Sequence, residues 1–379
     1  MGWVHHIATS GLGKLYDGTE AGPVTFGPVM AYVWSLLSLV QPAFANVTDA
    51  GDPAIRALMK LPASLADLGL AALVAFALRD RPRWAVAAAG AVLLVPATWY
   101  VSAWWGQCEL IFMLSGLGAA IATANGRNGF AAVLIAVSLS TKPQAIPFVL
   151  PFAAWFWASG YAAGGLRGGV RELARTGIVG LAALVVLWLP FIPAGGPLDY
   201  LANLSTYQGE IFNVLSLRAW NAWWLLQETA AGGNFIADDI AIAGPITLRH
   251  LGFAITGLLS LVVAAAIIRD PRPRALFVGL AASVLTFFTF LTQMHARYAY
   301  AALLFLVLLL PERIGRLSWA WLWLAFAVVF SLNLAAAIPP SSEIGAMLPI
   351  AGALGVVGSV GLIAITVVVV RSTTRSPTA

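Results

Sequence analysis

Apolar runs closed by arginine, proline and glycine clusters fill most of the chain. They lie at 24–44, 61–78, 84–101, 110–123, 129–140, 146–158, 176–191, 246–268, 275–291, 298–310, 319–337 and 347–370. This succession predicts an all-α polytopic membrane protein with about eleven or twelve transmembrane or membrane-embedded helices. Residues 1–379 read as a single integral membrane domain with no appended soluble unit and no solenoid repeat. One long hydrophilic stretch, 192–245, interrupts the rhythm. Its aromatic residues and a helical pattern over 213–227 predict an external loop carrying an amphipathic helix. Within it, the section with Gly232, Gly233, Asn234, Asp238 and Asp239 reads as plain loop. Residues 1–60 read as a second external loop, holding an embedded helix at 24–44.

Composition agrees with the pattern. Hydrophobic residues make up 60% of the chain and charged residues 10%, which leaves too little polar surface to face water. The formal charge of +5 could serve nucleic acid, but it is concentrated in short loops between apolar runs, where membrane orientation requires it. Nucleic acid is therefore discounted. Alternating the runs puts fourteen of the 21 basic residues, all arginines from Arg79 to Arg375, on one face. That face is cytoplasmic by the positive-inside rule, and it includes the C-terminus. The opposite face holds most acids together with Lys14, Arg56, Lys60, Lys142, Arg218, Arg249 and Arg297. The expected location is the inner (plasma) membrane, multi-pass, with the site on the periplasmic or extracellular side. The first residues lack the layout of a cleavable signal. The single cysteine, Cys108, excludes an intrachain disulfide.

Three short polar turns share the outer face: 104–109 (WWGQCE), 141–144 (TKPQ) and 293–298 (QMHARY). The 129–159 segment must leave and re-approach the cytoplasmic side within about thirty residues, and at about 1.5 Å per residue its two helices cannot cross a ~30 Å core. TKPQ is therefore expected below the outer interface. Pro143 disfavours helix at its predecessor and frees backbone groups, which is tolerable only where the turn lines a cavity. Lys142, Arg297 and Glu109 sit where hydrocarbon should begin, an expensive place for charge unless function uses it.

These motifs resemble those of the GT-C superfamily of integral membrane glycosyltransferases, which take a sugar from a polyprenyl phosphate donor. WWGQCE resembles the family's Trp-Gly-Gln with a nearby acid. The 141–151 segment TKPQAIPFVLP resembles its Lys-Pro-Gln element, and QMHARYAYAALLFL at 293–306 its Met-His-x-Arg-Tyr segment. NVLSLRAWNAWWLL at 213–226 is similar to its Asn/Trp-rich external helix, and Tyr16 through Phe26-Gly27-Pro28 to a weak form of its Gly-x-x-x-Tyr and Tyr-Pro-Pro stretch. The likeness covers about 11–310 and suggests bacterial polyprenyl-phosphate-mannose mannosyltransferases as relatives. It implies a GT-C-like bundle and transfer of a hexose, mannose favoured, to an envelope glycan, glycolipid or protein acceptor on the external face. The chain departs in one respect. It begins about where the family's first external loop is already running, so the first span is apparently missing and the copy as given is expected either to start upstream or to be inactive.

Sugar transfer from a phosphodiester needs a carboxylate to take the acceptor proton and cations where the departing phosphate gains charge. The candidate bases are Asp17, Glu20 and Glu109. Lys142 and Arg297, assisted by His295, are assigned to the phosphate, and Gln107, Gln144, Asn213, Arg218 and Asn221 to the acceptor or sugar. No metal ligand cluster is evident and no cofactor is required, although a divalent ion would be compatible with the chemistry. Each assignment has a plainer competitor. Lys142 could snorkel, Arg297 could pair with a buried acid such as Asp67, His295 could serve as a hydrogen-bonding partner at the turn, and Glu109 could cap the next helix. Trp104, Trp105, Trp220, Trp223 and Trp224 are expected in the interfacial belt. The alternative function is a transporter or flippase of a lipid-linked sugar, although the paired halves common in transporters are not apparent.

Overall fold

The computed structural model describes residues 1–18, 22–47 and 51–374. Its helices in chain order are α1 (Gly2–Ser10), α2 (Pro28–Val40), α3 (Pro53–Ala77), α4 (Pro82–Leu94), α5 (Pro96–Trp99), α6 (Glu109–Ala124), α7 (Asn128–Leu139) and α8 (Val149–Trp188). They continue as α9 (Gly196–Thr206), α10 (Ala222–Ala231), α11 (Leu248–Arg269), α12 (Pro273–Phe290), α13 (Tyr300–Val307), α14 (Trp319–Ala337), α15 (Ser342–Met347) and α16 (Ala353–Thr373). Strand among the described residues is confined to three two-stranded pairings. The protein is an all-α polytopic membrane protein.

Length sorts the apolar helices into two groups. Among the described residues six elements, α3, the 143–194 segment, α11, α12, α14 and α16, are long and apolar enough to cross a bilayer. The bent pair Pro82–Leu94 and Pro96–Trp104, at 45°, makes a seventh. Four others, α2, α6, α7 and Ala296–Val307, are shorter apolar helices. At about 1.5 Å per residue, the 12 residues of α7 reach roughly 18 Å into a ~30 Å core. The helix at 24–44 is thus the short α2, of embedded rather than spanning length.

Local sequence explains the boundaries. Asp52 caps α3 by accepting from the amides of Ala54 and Ile55, with Pro53 at the first position, where its missing donor costs nothing. The long α8 is two helices: Gly164 and Gly165 leave helical geometry, and Gly165 has φ +59°, a conformation glycine adopts readily. The arms then fold back so closely that a Cβ on Gly160 would stand 2.5 Å from the carbonyl oxygen of Gly168. Apolar runs 146–158 and 176–191 are the two arms of this hairpin.

Packing divides the molecule into a main core and a satellite. The main core gathers α3, α4, α6, α7, the first arm of α8, α10 through α14, and α16. A separate cluster holds Val4, Tyr16, Val24, Trp34, Phe44 and Ile55 with Phe191, so most of the 1–60 segment packs upon itself and on the end of α8.

The 192–245 segment carries helices α9 and α10, but the expected helix over 213–227 begins only at Ala222. Its front half is extended because Ser216 and Leu217 pair in parallel with Met294 and His295. The tryptophans correct another expectation: Trp220 and Trp224 are fully buried and Trp223 nearly so, in the core and not in a belt. Trp220 presses on α16, where a Cβ on Gly358 would approach its ring to 2.1 Å. Its indole donates to the Ile350 carbonyl (3.1 Å), and that of Trp223 to Phe290 (2.7 Å).

Candidate functional site

The three polar turns meet. Helix α6 begins at Glu109, three residues after Gly106, whose φ of +75° turns the chain. Helix α7 ends at Leu139, Lys142 is extended, and a 3-10 turn runs from Pro143 to Phe148. Helix α12 ends at Phe290, and α13 starts at Tyr300 after a 3-10 turn over Ala296–Ala299. These early stops leave room at one end of the bundle, and the charged side chains fill its wall.

Glu109 is the hub. One of its oxygens, Oε1, accepts from Lys142 Nζ at 2.5 Å and lies 2.8 Å from Arg297 Nε. The latter contact is off the axis of a hydrogen bond, so the attraction there is ionic. Both Glu109 and Lys142 are almost completely buried, and the Arg297 side chain is 16% exposed. The second oxygen of Glu109 is buried without a hydrogen-bond partner. The snorkelling alternative for Lys142 is therefore set aside. So is the pairing of Arg297 with Asp67, whose carboxylate instead accepts from Ser102 Oγ at 2.6 Å. Two cations sharing one carboxylate leave an excess of one positive charge in a low-dielectric place, which is costly unless an anion completes it.

Aromatic faces frame the cations. The Arg297 guanidinium lies 4.6 Å from the Trp105 ring centroid and 5.4 Å from that of Tyr298. The Lys142 ammonium stands 5.4 Å from Phe26 and 5.7 Å from Tyr298. Phe26 is placed by the N-terminal segment: Tyr16 donates to its carbonyl at 2.8 Å. The amides of Gly27 and Val29 donate to the carbonyls of Thr141 (3.1 Å) and Ser140 (2.9 Å), occupying backbone groups of the broken α7 end. Only glycine fits at 27, because a Cβ would stand 2.2 Å from the Ser140 oxygen.

This cluster borders a cavity of about 660 Å³ lined by Lys142, Arg297, Gln107, Gln144 and Tyr298, a volume within the ~300–1,000 Å³ common for ligand sites. Apolar side chains of α2 and α3, such as Val33, Trp34, Leu37 and Met59, also line it, as do Leu204, Tyr207, Gln208, Phe212, Arg249 and Gln293. Gln144 carries a buried Oε1 without a partner.

Other sequence candidates lie elsewhere. His295 is not among the cavity-lining residues; its ring packs 5.2 Å from that of Trp105, and its Nδ1 is buried and unpartnered. Asn221 is fully buried, capping α10 through the Trp224 amide (2.8 Å) and donating to the Phe288 carbonyl (3.0 Å). Arg218, at φ +59°, donates to the Ala337 carbonyl at 3.0 Å. Asn213 donates to Asp239 at 2.9 Å. None of these three lines the cavity. Asp17 is exposed, also away from the cavity lining, and Glu20 lies outside the described residues. Among the described residues no group of three or more His, Cys, Asp or Glu side chains is placed to hold a metal ion.

Sequence reading missed Asp238. Expected in plain loop, it is fully buried and paired with Arg249. The only sign in the sequence was an acid and an arginine on the same predicted face. Phe26, Trp105 and Tyr298 were legible as parts of motifs, but their roles as faces for the cations required the fold. Comparison with models of known protein families and with curated proteins found no match for this chain.

Proposed function

We propose that the protein is a GT-C-type membrane glycosyltransferase that moves a hexose, mannose favoured, from a polyprenyl phosphate to a hydroxyl of an envelope glycan, glycolipid or protein. The observation that carries this reading is the buried Lys142–Glu109–Arg297 cluster, with its excess positive charge, beside a cavity whose lining also includes many apolar side chains. A phosphodiester monoanion on a hydrocarbon tail matches both features. In the reaction the acceptor oxygen attacks the anomeric carbon as the bond from that carbon to the phosphate oxygen breaks. The acceptor proton passes to a carboxylate, and the leaving phosphate gains one negative charge next to Lys142 and Arg297. The transition state is oxocarbenium-like.

Glu109 holds the two cations in place, and a carboxylate so engaged is a weak base. Asp17 lies away from the cavity lining, so of the first-loop acids read from the sequence Glu20 is kept as the proposed proton acceptor. By the arginine distribution, the site opens to the periplasmic or extracellular side and the C-terminus is cytoplasmic.

The test uses the purified protein in detergent with polyprenyl phosphate carrying radiolabelled mannose. Release of polyprenyl phosphate with label in a glycan acceptor, lost in Arg297→Gln, is the expected result. Counterflow of the labelled lipid in proteoliposomes with no such release would establish a transporter instead.

A further inference from the structure

The same cavity is also lined by members of a second polar cluster with a different charge count. Asp238, fully buried, accepts from Arg249 Nη2 at 2.6 Å through Oδ1. Its Oδ2 accepts from Arg249 Nε (3.0 Å), Thr292 Oγ1 (2.7 Å) and Gln293 Nε2 (3.0 Å). One carboxylate thus meets one guanidinium and two neutral donors, so the Asp238–Arg249 pair is neutral, and a further acid, Asp239, is joined to it through Asn213. Arg249 Nη2 also reaches Asn213 Oδ1 at 3.3 Å, and Gln293 Nε2 reaches the Gln208 carbonyl at 2.9 Å. Arg249 Nη1 and Gln293 Oε1 have no such bond among the described residues, and both side chains line the cavity with Gln208 and Thr292.

Gln293 is also held in an unusual backbone state. Its φ is +64°, uncommon for a residue with a side chain. Its amide is anchored on the carbonyls of Val214 (3.2 Å) and Leu215 (3.0 Å), so the external segment holds this residue in place four positions before Arg297.

We infer that Arg249 and Gln293 form a recognition site for the hydroxyls of a neutral sugar ring, setting specificity next to the phosphate-binding cations. A free guanidinium N–H beside a free amide oxygen presents one donor and one acceptor, which is what two neighbouring ring hydroxyls require. Asp238 orients the pair and cancels the arginine charge, so a second phosphate gains little there. Because Gln293 and Arg297 belong to one turn, the sugar and the phosphate of a single lipid ligand contact the two clusters together. This assignment rests on the lipid-phosphate reading above.

The experiment compares binding of two probes, undecaprenyl phosphate and undecaprenyl phosphomannose, to the full-length protein in detergent by isothermal titration. Wild type is expected to bind both, with about a tenfold preference for the sugar-bearing lipid, given two hydrogen bonds of ordinary net strength. Arg249→Lys and Gln293→Asn remove that preference and leave affinity for the bare lipid phosphate within about twofold. Asparagine tolerates positive φ, so Gln293→Asn carries the test alone if the lysine variant unfolds. Lys142→Gln weakens both probes. A preference that survives both substitutions, or a wild type that never discriminates, overturns the sugar site and leaves the phosphate reading standing. A wild type that binds neither lipid removes both.

Discussion

Two ion clusters line one cavity, and they differ in how their charges add. At Lys142, Glu109 and Arg297, two cations share a single carboxylate oxygen. At Asp238 and Arg249, one acid meets one base and the remaining lone pairs accept from Thr292 and Gln293. The first is left electrostatically incomplete and the second is closed. A buried site with surplus charge stores an affinity for a counter-ion, whereas a neutral network offers only directional hydrogen bonds. Under the proposed reading, the same residue types serve an anion at one cluster and hydroxyls at the other.

Removing the hub of the charged cluster breaks the contrast most severely. Glu109→Gln leaves two cations facing each other in the protein interior, and thermal melting in detergent should show a loss of about 3–5 kcal/mol, partly recovered on adding polyprenyl phosphate. Arg297→Gln should cut transfer by about 10²–10³-fold through lost stabilisation of the leaving phosphate, with membrane insertion unchanged on fractionation. On the neutral side, Asp238→Asn should cost about 1–3 kcal/mol, since Arg249 is partly exposed and can find water; an equal or greater loss than for Glu109→Gln would contradict the distinction drawn here. The smallest effect is expected at Asp67, a buried acid outside both clusters. Asp67→Asn keeps an acceptor for Ser102 and should shift stability by no more than about 1 kcal/mol while leaving transfer intact.

One further variant sharpens the comparison without touching a charge. Gly27→Ala places a methyl group against the Ser140 carbonyl, which forces the Phe26 segment off the Lys142 turn. Transfer should fall while the Asp238 cluster, and hence discrimination for the sugar, persists in binding assays.

Much of the fold was readable from periodicity because a bilayer imposes a simple rule: long apolar runs become helices whose backbone groups are satisfied within the segment. The runs at 246–268, 319–337 and 347–370 behave in this way, as α11, α14 and α16. The shortness of α7 was also legible, since 129–159 is too brief for two crossings. Other features escaped because they depend on partners remote in sequence. Residues 213–221 have a helical pattern, yet 216–217 pair with 294–295. Trp220, Trp223 and Trp224 look like interfacial residues until α16 and the end of α12 are placed beside them.

The sequence by itself determined the class of protein, the grouping of its charges and the three turns that interrupt the apolar pattern, because hydropathy and proline or glycine chemistry act over a few residues. Only the tertiary structure decided that Glu109 holds Lys142 and Arg297 together, and that Asp238 is a buried anchor where a loop acid was expected. An ion pair between residues separated by 33 positions is set by how helices pack, and no local pattern encodes that distance.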